Sequence, residues 1–228
     1  MQTDGVLHTM ESQDAGRAML DFIAELYPIC RSITGEGVRE TLRMIQKRIP
    51  LHIHEVSSGT TVFDWTVPLE WNVTDAYIKN AAGVRVVDFK ANNLHVMSYS
   101  SPVKQRMTLE DLSPHLFSLP DYPEWIPYRT SYYQENWGFC LSHKNRELLK
   151  NGEYEVVIDS TLRPGSLTYG ESYLPGESTD EVLVSCHICH PSMCNDNLSG
   201  IAVAVWLAQA LAVRQRRYSY RFLFITGT

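Results

Sequence analysis

The stretch from Ser185 to Gly200 reads SCHICHPSMCNDNLSG and places two histidines, three cysteines and one aspartate within sixteen residues. Imidazole nitrogen and carboxylate oxygen form the donor set of a catalytic zinc ion, which keeps one position open for water. His187, His190 and Asp196 supply that set and are the candidate metal ligands. Cys186, Cys189 and Cys194 could add thiolates, and the first two form a C-x-x-C. The residues alone leave four readings open: an open His/Asp metal site, a closed zinc knot, a redox cysteine pair, and ordinary packing. A knot needs four closed ligands, and there is no second C-x-x-C. A redox pair wants its first cysteine at a helix N-terminus, whereas Cys186 ends an apolar run well before the next helix.

These side chains need elements to hold them. EVLVSCH is an apolar, β-branched run that reads as a strand buried on both faces. NLSGIAVAVWLAQALAVRQ reads as a helix from near Leu198, and RYSYRFLFITGT as another strand. Strand, loop, helix, strand is one βαβ unit, so this end belongs to a parallel or mixed α/β sheet. Ligands gather at the carboxyl ends of such strands, where His187 and His190 fall.

Upstream, residues 12–27 place Met19, Leu20, Phe22, Ile23 and Leu26 at helical spacing. A second helix starts near Glu36, with Val38, Leu42, Ile45 and Ile49 on one face and Pro50 as its stop. LHIHEVSS alternates Leu51, Ile53 and Val56 against His52, His54 and Glu55, as a half-buried strand does. His52 and His54 then share a solvated face. From Thr61 to Asp159 the texture changes: four of the five tryptophans lie there, among short strand-like pieces. AYIKN/AAG/VRVVDF reads as a hairpin, with NLHVMSYSS, YYQENWGFCLS and EYEVVIDS as further pieces. GSLTYGESYLPGES reads as a turn-rich linker. The expected organisation is 1–60 as helices and first strand, 61–160 as an inserted β-rich domain, and 161–228 as the continued α/β part.

A formal net charge of −6 over 228 residues argues against a nucleic-acid partner, which needs a basic face. The one basic run, RQRR (Arg214–Arg217), reads as a solvated helix end where cations suit the dipole. No apolar run is long enough to span a membrane. The N-terminus carries Asp4, Glu11 and Asp14 without an apolar segment, so no export signal is expected. Five cysteines, three beside histidines, then favour reduced thiols and a cytoplasmic address.

H-x-C-H-P-S followed by N-D-N-L-S-G and an alanine-rich helix resembles the zinc aminopeptidase superfamily, whose strand ends in His-x-Asp before an Asp-Asn-x-Ser-Gly loop. A closer resemblance is to bacterial aminopeptidase-like proteins with an inserted domain of unknown function. It rests on YPICRSITGEGVRETL, VFDWTVPLEWNV, NLHVMSYSSPV, IPYRTSYYQENWGFC, GSLTYGE and CHPSMCNDNLSG, which run from Leu26 to Gly200. The resemblance implies a partial zinc-aminopeptidase-like (phosphorylase/hydrolase-like) mixed sheet with helices, and one or two zinc ions. It gives His187 the strand-end histidine's place and Asp196 that of the metal-bridging aspartate, with Asn197, Ser199 and Gly200 completing the motif. Gly200 would let the helix pack closely on the sheet. Cys189 stands where the superfamily has the aspartate that orients the histidine, and His190 has no counterpart in the general motif.

The superfamily's general-base glutamate, a further carboxylate and a last histidine follow the strand that here runs to Thr228. No catalytic residue is therefore assigned within the chain, which is expected to be a C-terminally truncated, incomplete enzyme. Its implied activity is metal-dependent hydrolysis of peptide or amide bonds in a small peptide or amino-acid-derived substrate. The alternative is a non-catalytic protein that keeps the fold and binds a metabolite or partner. IPYRTSYYQENWGFC offers Arg129 to meet a carboxylate and Tyr132 as a pocket wall, and both are candidate substrate-binding residues. GSLTYGE offers Glu171 as a stray carboxylate. The aromatic module suits a lid, a core or a surface for homo-oligomer formation.

Overall fold

The computed structural model describes residues 12–227; the acidic positions Asp4 and Glu11, and Thr228, lie outside the described residues. Helix α1 (Ser12–Leu26) is followed by α2 (Glu36–Gln46) and strand β1 (His52–Ser57). Then come β2 (Thr61–Val62), β3 (Trp65–Thr66), β4 (Glu70–Lys79), β5 (Arg85–Asp88) and β6 (Val103–Thr108). Short helices α3 (Leu109–Leu112) and α4 (His143–Glu147) flank β7 (Leu116–Phe117) and β8 (Phe139–Cys140). The chain ends in β9 (Glu153–Arg163), β10 (Ser166–Leu174), β11 (Glu181–His187), α5 (Ser199–Ala212) and β12 (Ser219–Ile225).

Strands β1, β10, β12 and β11 form, in that order, a mixed sheet. β10 runs antiparallel to β1 and β12, while β11 and β12 are parallel neighbours joined through α5, the expected βαβ unit. One face of this sheet packs on the three long helices. Phe22, Leu26, Leu42, Ile45, Cys186, Ile188, Val205, Phe222 and Phe224 share that core. Alternate residues point to the other face, as the pleat requires. There Arg221 pairs with both Glu171 and Glu181.

A second sheet, β5–β4–β9–β6, is antiparallel throughout and has its own core around Trp71, Ile78, Phe139, Leu141, Val156 and Ile158. The expected hairpin is its β4–β5 pair, closed over Asn80–Val84. Glu70 links the two sheets. Its carboxylate takes a forked pair of hydrogen bonds from Arg39 of α2 (2.6 and 3.0 Å) and one from the Ser166 backbone N–H (3.0 Å).

Several local expectations fail, each for a physical reason. GSLTYGESYLPGES is not a linker. The nine residues after its first glycine, Ser166–Leu174, are β10, an inner strand paired on both sides. Its glycine at 170 is there because a Cβ would lie 2.7 Å from Leu42 Cδ2 and 2.9 Å from Leu51 Cδ2, so α2 packs directly on the strand backbone. EVLVSCH is a strand but not one buried on both faces: β11 borders the sheet among the described residues, and Leu183 is 59% exposed. β1 borders the opposite side, so Ile53 is exposed rather than core, while Leu51 is buried. Leu20 of α1 is likewise exposed, off the stripe made by Phe22 and Leu26. NLHVMSYSS forms a tight turn (Asn93–His95) and two isolated bridges, because its backbone pairs singly with Phe139 and Thr130. RQRR, by contrast, keeps its expected place at a solvated helix end: just past α5, Arg216 donates to the Leu211 and Ala212 carbonyls and so caps the helix.

Candidate metal centre

β11 and β12 stay in register to the His187–Ile225 pair, and the Ile188 N–H still reaches the Ile225 carbonyl (2.8 Å). The chain then turns between the two cores. Ile188 enters the helix-packed core and Cys189 the core of the second sheet, both buried. Arg31 fixes the next step: its side chain is 1% exposed, and it donates from Nε to the His190 carbonyl (3.0 Å) and from Nη1 to the Leu26 carbonyl (2.8 Å). The Ser192 hydroxyl donates to the Tyr27 carbonyl (3.0 Å), so a second bond holds the loop to the end of α1. A wide turn, Cys194–Leu198, with a cis Asp196–Asn197 peptide bond, then delivers the chain into α5.

This path brings together the three predicted ligands. Donor atoms of His187, His190 and Asp196 all lie within 4.8 Å of one another. His187 Nε2 is 2.6 Å from Asp196 Oδ1, His190 Nδ1 is 3.9 Å from the same oxygen, and the two imidazoles meet edge to face at 4.8 Å. Both histidines are half-buried and Asp196 is exposed. Burial lowers the His190 pKa, with the Asp196 charge opposing it, which favours the neutral imidazole a cation requires. The donors fit a borderline cation such as zinc. Metal–nitrogen bonds near 2.0–2.1 Å put neighbouring donors about 3.3 Å apart, so the His187–Asp196 contact would open by under about 1 Å.

Asn197 supports His187 by donating from Nδ2 to its carbonyl (3.3 Å) and to Cys186 Sγ (3.2 Å). Gly200 makes room for that amide: a Cβ there would lie 2.1 Å from Asn197 Oδ1. Its role is therefore to seat Asn197, in place of the helix–sheet contact expected. Cys186 and Cys189 are buried and burial raises both thiols, Cys186 to about 12. Cys189 Sγ lies 3.8 Å from His190 Nδ1, so the thiol in the orienting aspartate's place neighbours His190.

A cleft of about 590 Å³ opens beside His190, lined by Trp65, Tyr128, Tyr132 and Tyr133 among others. Tyr128 meets the His190 ring edge-on at 5.1 Å, and its hydroxyl lies 2.9 Å from that of Tyr132. Burial raises the pKa of both phenols. Tyr132 thus stands at the site, but Arg129 does not line the cleft: its guanidinium lies over the Phe117 ring at 4.5 Å. Glu171 is engaged with Arg221, and His54 stacks on Tyr169 at 4.8 Å, so neither joins the ligand cluster. A cavity of similar size, about 600 Å³, lies against Trp206, Leu174 and Ile49, and among the described residues no His, Cys, Asp or Glu lines it. Sequence reasoning missed Arg31, Trp65 and Tyr128. The aromatic run that pointed to Tyr132 also contains Tyr128, while the other two carry no local signal.

Comparison with known proteins agrees with this architecture. A Clostridium acetobutylicum protein, provisionally named a polysaccharide biosynthesis protein with aminopeptidase-like domain, is 56% identical over 97% of this chain and 51% of its own length. A crystal structure from Clostridium acetobutylicum, provisionally named a peptidase, superposes with a TM-score of 0.93 at 57% identity, over 95% of this chain and 52% of that one. The chain thus spans about half the length of these relatives. A zinc aminopeptidase from Bacillus subtilis (TM-score 0.57, 11% identity, 93% of this chain and 60% of that one) shares the fold. So does a peptidase M28 precursor from Shewanella amazonensis (TM-score 0.56, 12% identity, 92% and 65%). Residues 20–228 match the family model described as a domain of unknown function, DUF4910, and the chain belongs to that family.

Proposed function

We propose that this chain carries part of the cation site of a metal-dependent hydrolase acting on peptide or amide bonds in a small peptide or amino-acid-derived substrate. The observation that carries the reading is the convergence of His187, His190 and Asp196 at the carboxyl end of β11. When bound, a zinc ion supplies Lewis-acid polarisation of an amide carbonyl and lowers the pKa of a water. Asp196 contributes the negative charge that offsets the cation, and the two imidazoles contribute neutral nitrogen donors. Asn197 and Arg31 hold the backbone carbonyls of His187 and His190, so the rings need little reorganisation to bind. The relatives' additional length leaves room for a general base and further ligands outside this chain. A cytoplasmic address is part of the proposal, supported by five cysteines, three of them beside histidines, that suit reduced thiols; no helix among the described residues is long and apolar enough to cross a membrane.

The test is zinc binding by titration calorimetry and elemental mass spectrometry, on the 228-residue chain and on a chain as long as the relatives. One zinc per chain, lost in His187→Ala and weakened about tenfold or more in Asp196→Asn, is the expected result. Failure of both chains to take up zinc would end the reading.

A further inference from the structure

We infer that the cleft beside His190 receives an uncharged ring bearing hydroxyl groups, as the substituent next to the amide to be cleaved. The inference rests on the reading of the His187–His190–Asp196 cluster as the cation site. His190 and Cys189 form the wall nearest that cluster. The rest of the lining is Trp65, Tyr128, Tyr132 and Tyr133, with Thr130, Thr226, Ile33 and Gly227. Among the described residues, no Asp, Glu, Lys or Arg lines the cleft.

Four aromatic side chains offer flat, weakly polar faces on which a ring can lie. Tyr128 and Tyr132 are held rather than loose. Tyr132 meets Tyr99 edge-on at 5.1 Å and Tyr133 at 6.3 Å, and Tyr133 is 81% exposed. Hydroxyls complete the wall. The Tyr128 and Tyr132 hydroxyls bond each other, and the Ser32–Ser98 hydroxyl pair (2.7 Å) stands behind Tyr132. Thr226 Oγ1 is buried and has no hydrogen-bond partner among the described residues, which is costly unless a ligand satisfies it. A cleft of about 590 Å³ fits a single ring with its linker.

Charge is disfavoured on both sides. An anion entering would lose hydration with no cationic side chain on the lining to replace it. A cation could lie on the aromatic faces, but once the Asp196 carboxylate is offset by an ion in the ligand cluster, the buried Arg31 guanidinium behind His190 opposes a second positive charge. A neutral ring meets neither penalty. Two sources share this chemistry, a phenol side chain and a pyranose.

The experiment is a ligand-observed NMR titration of the zinc-free 228-residue chain with L-tyrosinamide, N-acetylglucosamine, leucinamide, lysinamide and isoglutamine. At least one of the two rings should bind about tenfold more tightly than the other three ligands, and which one does so names the source. Trp65→Ala should weaken that ring about tenfold and the conservative Thr226→Val several-fold, while Trp206→Phe in the distant cavity leaves it unchanged. Equal or tighter binding of lysinamide or isoglutamine, no binding of either ring, or indifference to both Trp65→Ala and Thr226→Val would overturn the inference. Because the titration needs no zinc, ring binding that persists in His187→Ala separates the two failures: the cleft's preference for a ring stands even if the hydrolase reading fails, and only its place beside a scissile amide falls with that reading.

Discussion

Arg31 Nε lies 3.0 Å from the His190 carbonyl oxygen, across 159 residues of sequence, and among the described residues no carboxylate is bonded to the guanidinium. A buried arginine that serves only backbone carbonyls is expensive, since burial pulls its pKa down to about 10. What it achieves is the position of the loop that carries His190. Replacing it with methionine removes the desolvated charge but orphans the His190 carbonyl and leaves the Leu26 carbonyl with the Ile29 N–H alone. We expect Arg31→Met to lose about 1–3 kcal/mol in urea denaturation and about tenfold in zinc affinity. Arg31→Lys should restore part of the stability and little of the affinity, because one ammonium does not reproduce a planar fork. Unchanged zinc affinity in Arg31→Met would remove the positioning role.

How much of this was legible in the sequence depends on how local the signal is. His187, His190 and Asp196 were readable because one strand end and one loop place them, all within ten residues. The stripe Val38–Leu42–Ile45 on α2 was readable for the same reason, periodicity within one element. Arg31 was not, because its role is set by contacts with a loop far along the chain. β10 was misread because glycine and serine signal turns when their neighbours are unknown. Gly170 becomes intelligible only once Leu42 and Leu51 are seen lying on it.

That contact makes a prediction of its own. In Gly170→Ala the new methyl would sit 2.7 Å from Leu42 Cδ2, and both leucines are buried. Overpacking should outweigh the entropy gained by removing a strand glycine. The expected net loss is about 1–2 kcal/mol, a fall in Tm of a few degrees in calorimetry. A rise in Tm would show that α2 can move off the strand freely.

The Arg39–Glu70 fork predicts an acid-sensitive link between α2 and the two sheets. Hydrogen bonds from Arg39 first, with further ones from Ser166 and Asn72, hold the Glu70 carboxyl at about 2, below its ordinary value of 4.5. A carboxyl whose pKa falls on folding stabilises the fold above the unfolded value. That contribution is lost as pH falls from about 4.5 towards 2. Urea midpoints at pH 6, 4 and 3 should therefore show wild type well above Glu70→Gln at pH 6, with the gap narrowing at each step down. A gap that is constant or widens on acidification would contradict the link.

The cysteines separate a His/Asp site from a thiolate one. Burial pushes the thiols of Cys30, Cys140 and Cys186 up to about 12 and raises Cys189 as well, whereas Cys194 is exposed. Alkylation requires thiolate and access. At pH 7.5 iodoacetamide should modify Cys194 first, and the other four only in denaturant, as read by peptide mass spectrometry. If zinc is held by imidazole and carboxylate alone, Cys194→Ser should bind it as tightly as wild type. The Cys186 thiol already faces Asn197 Nδ2, so Cys186→Ser should keep zinc and lose only the stability of that contact. Loss of zinc in either serine variant, with His187→Ala still binding, would instead assign the ion to the cysteines.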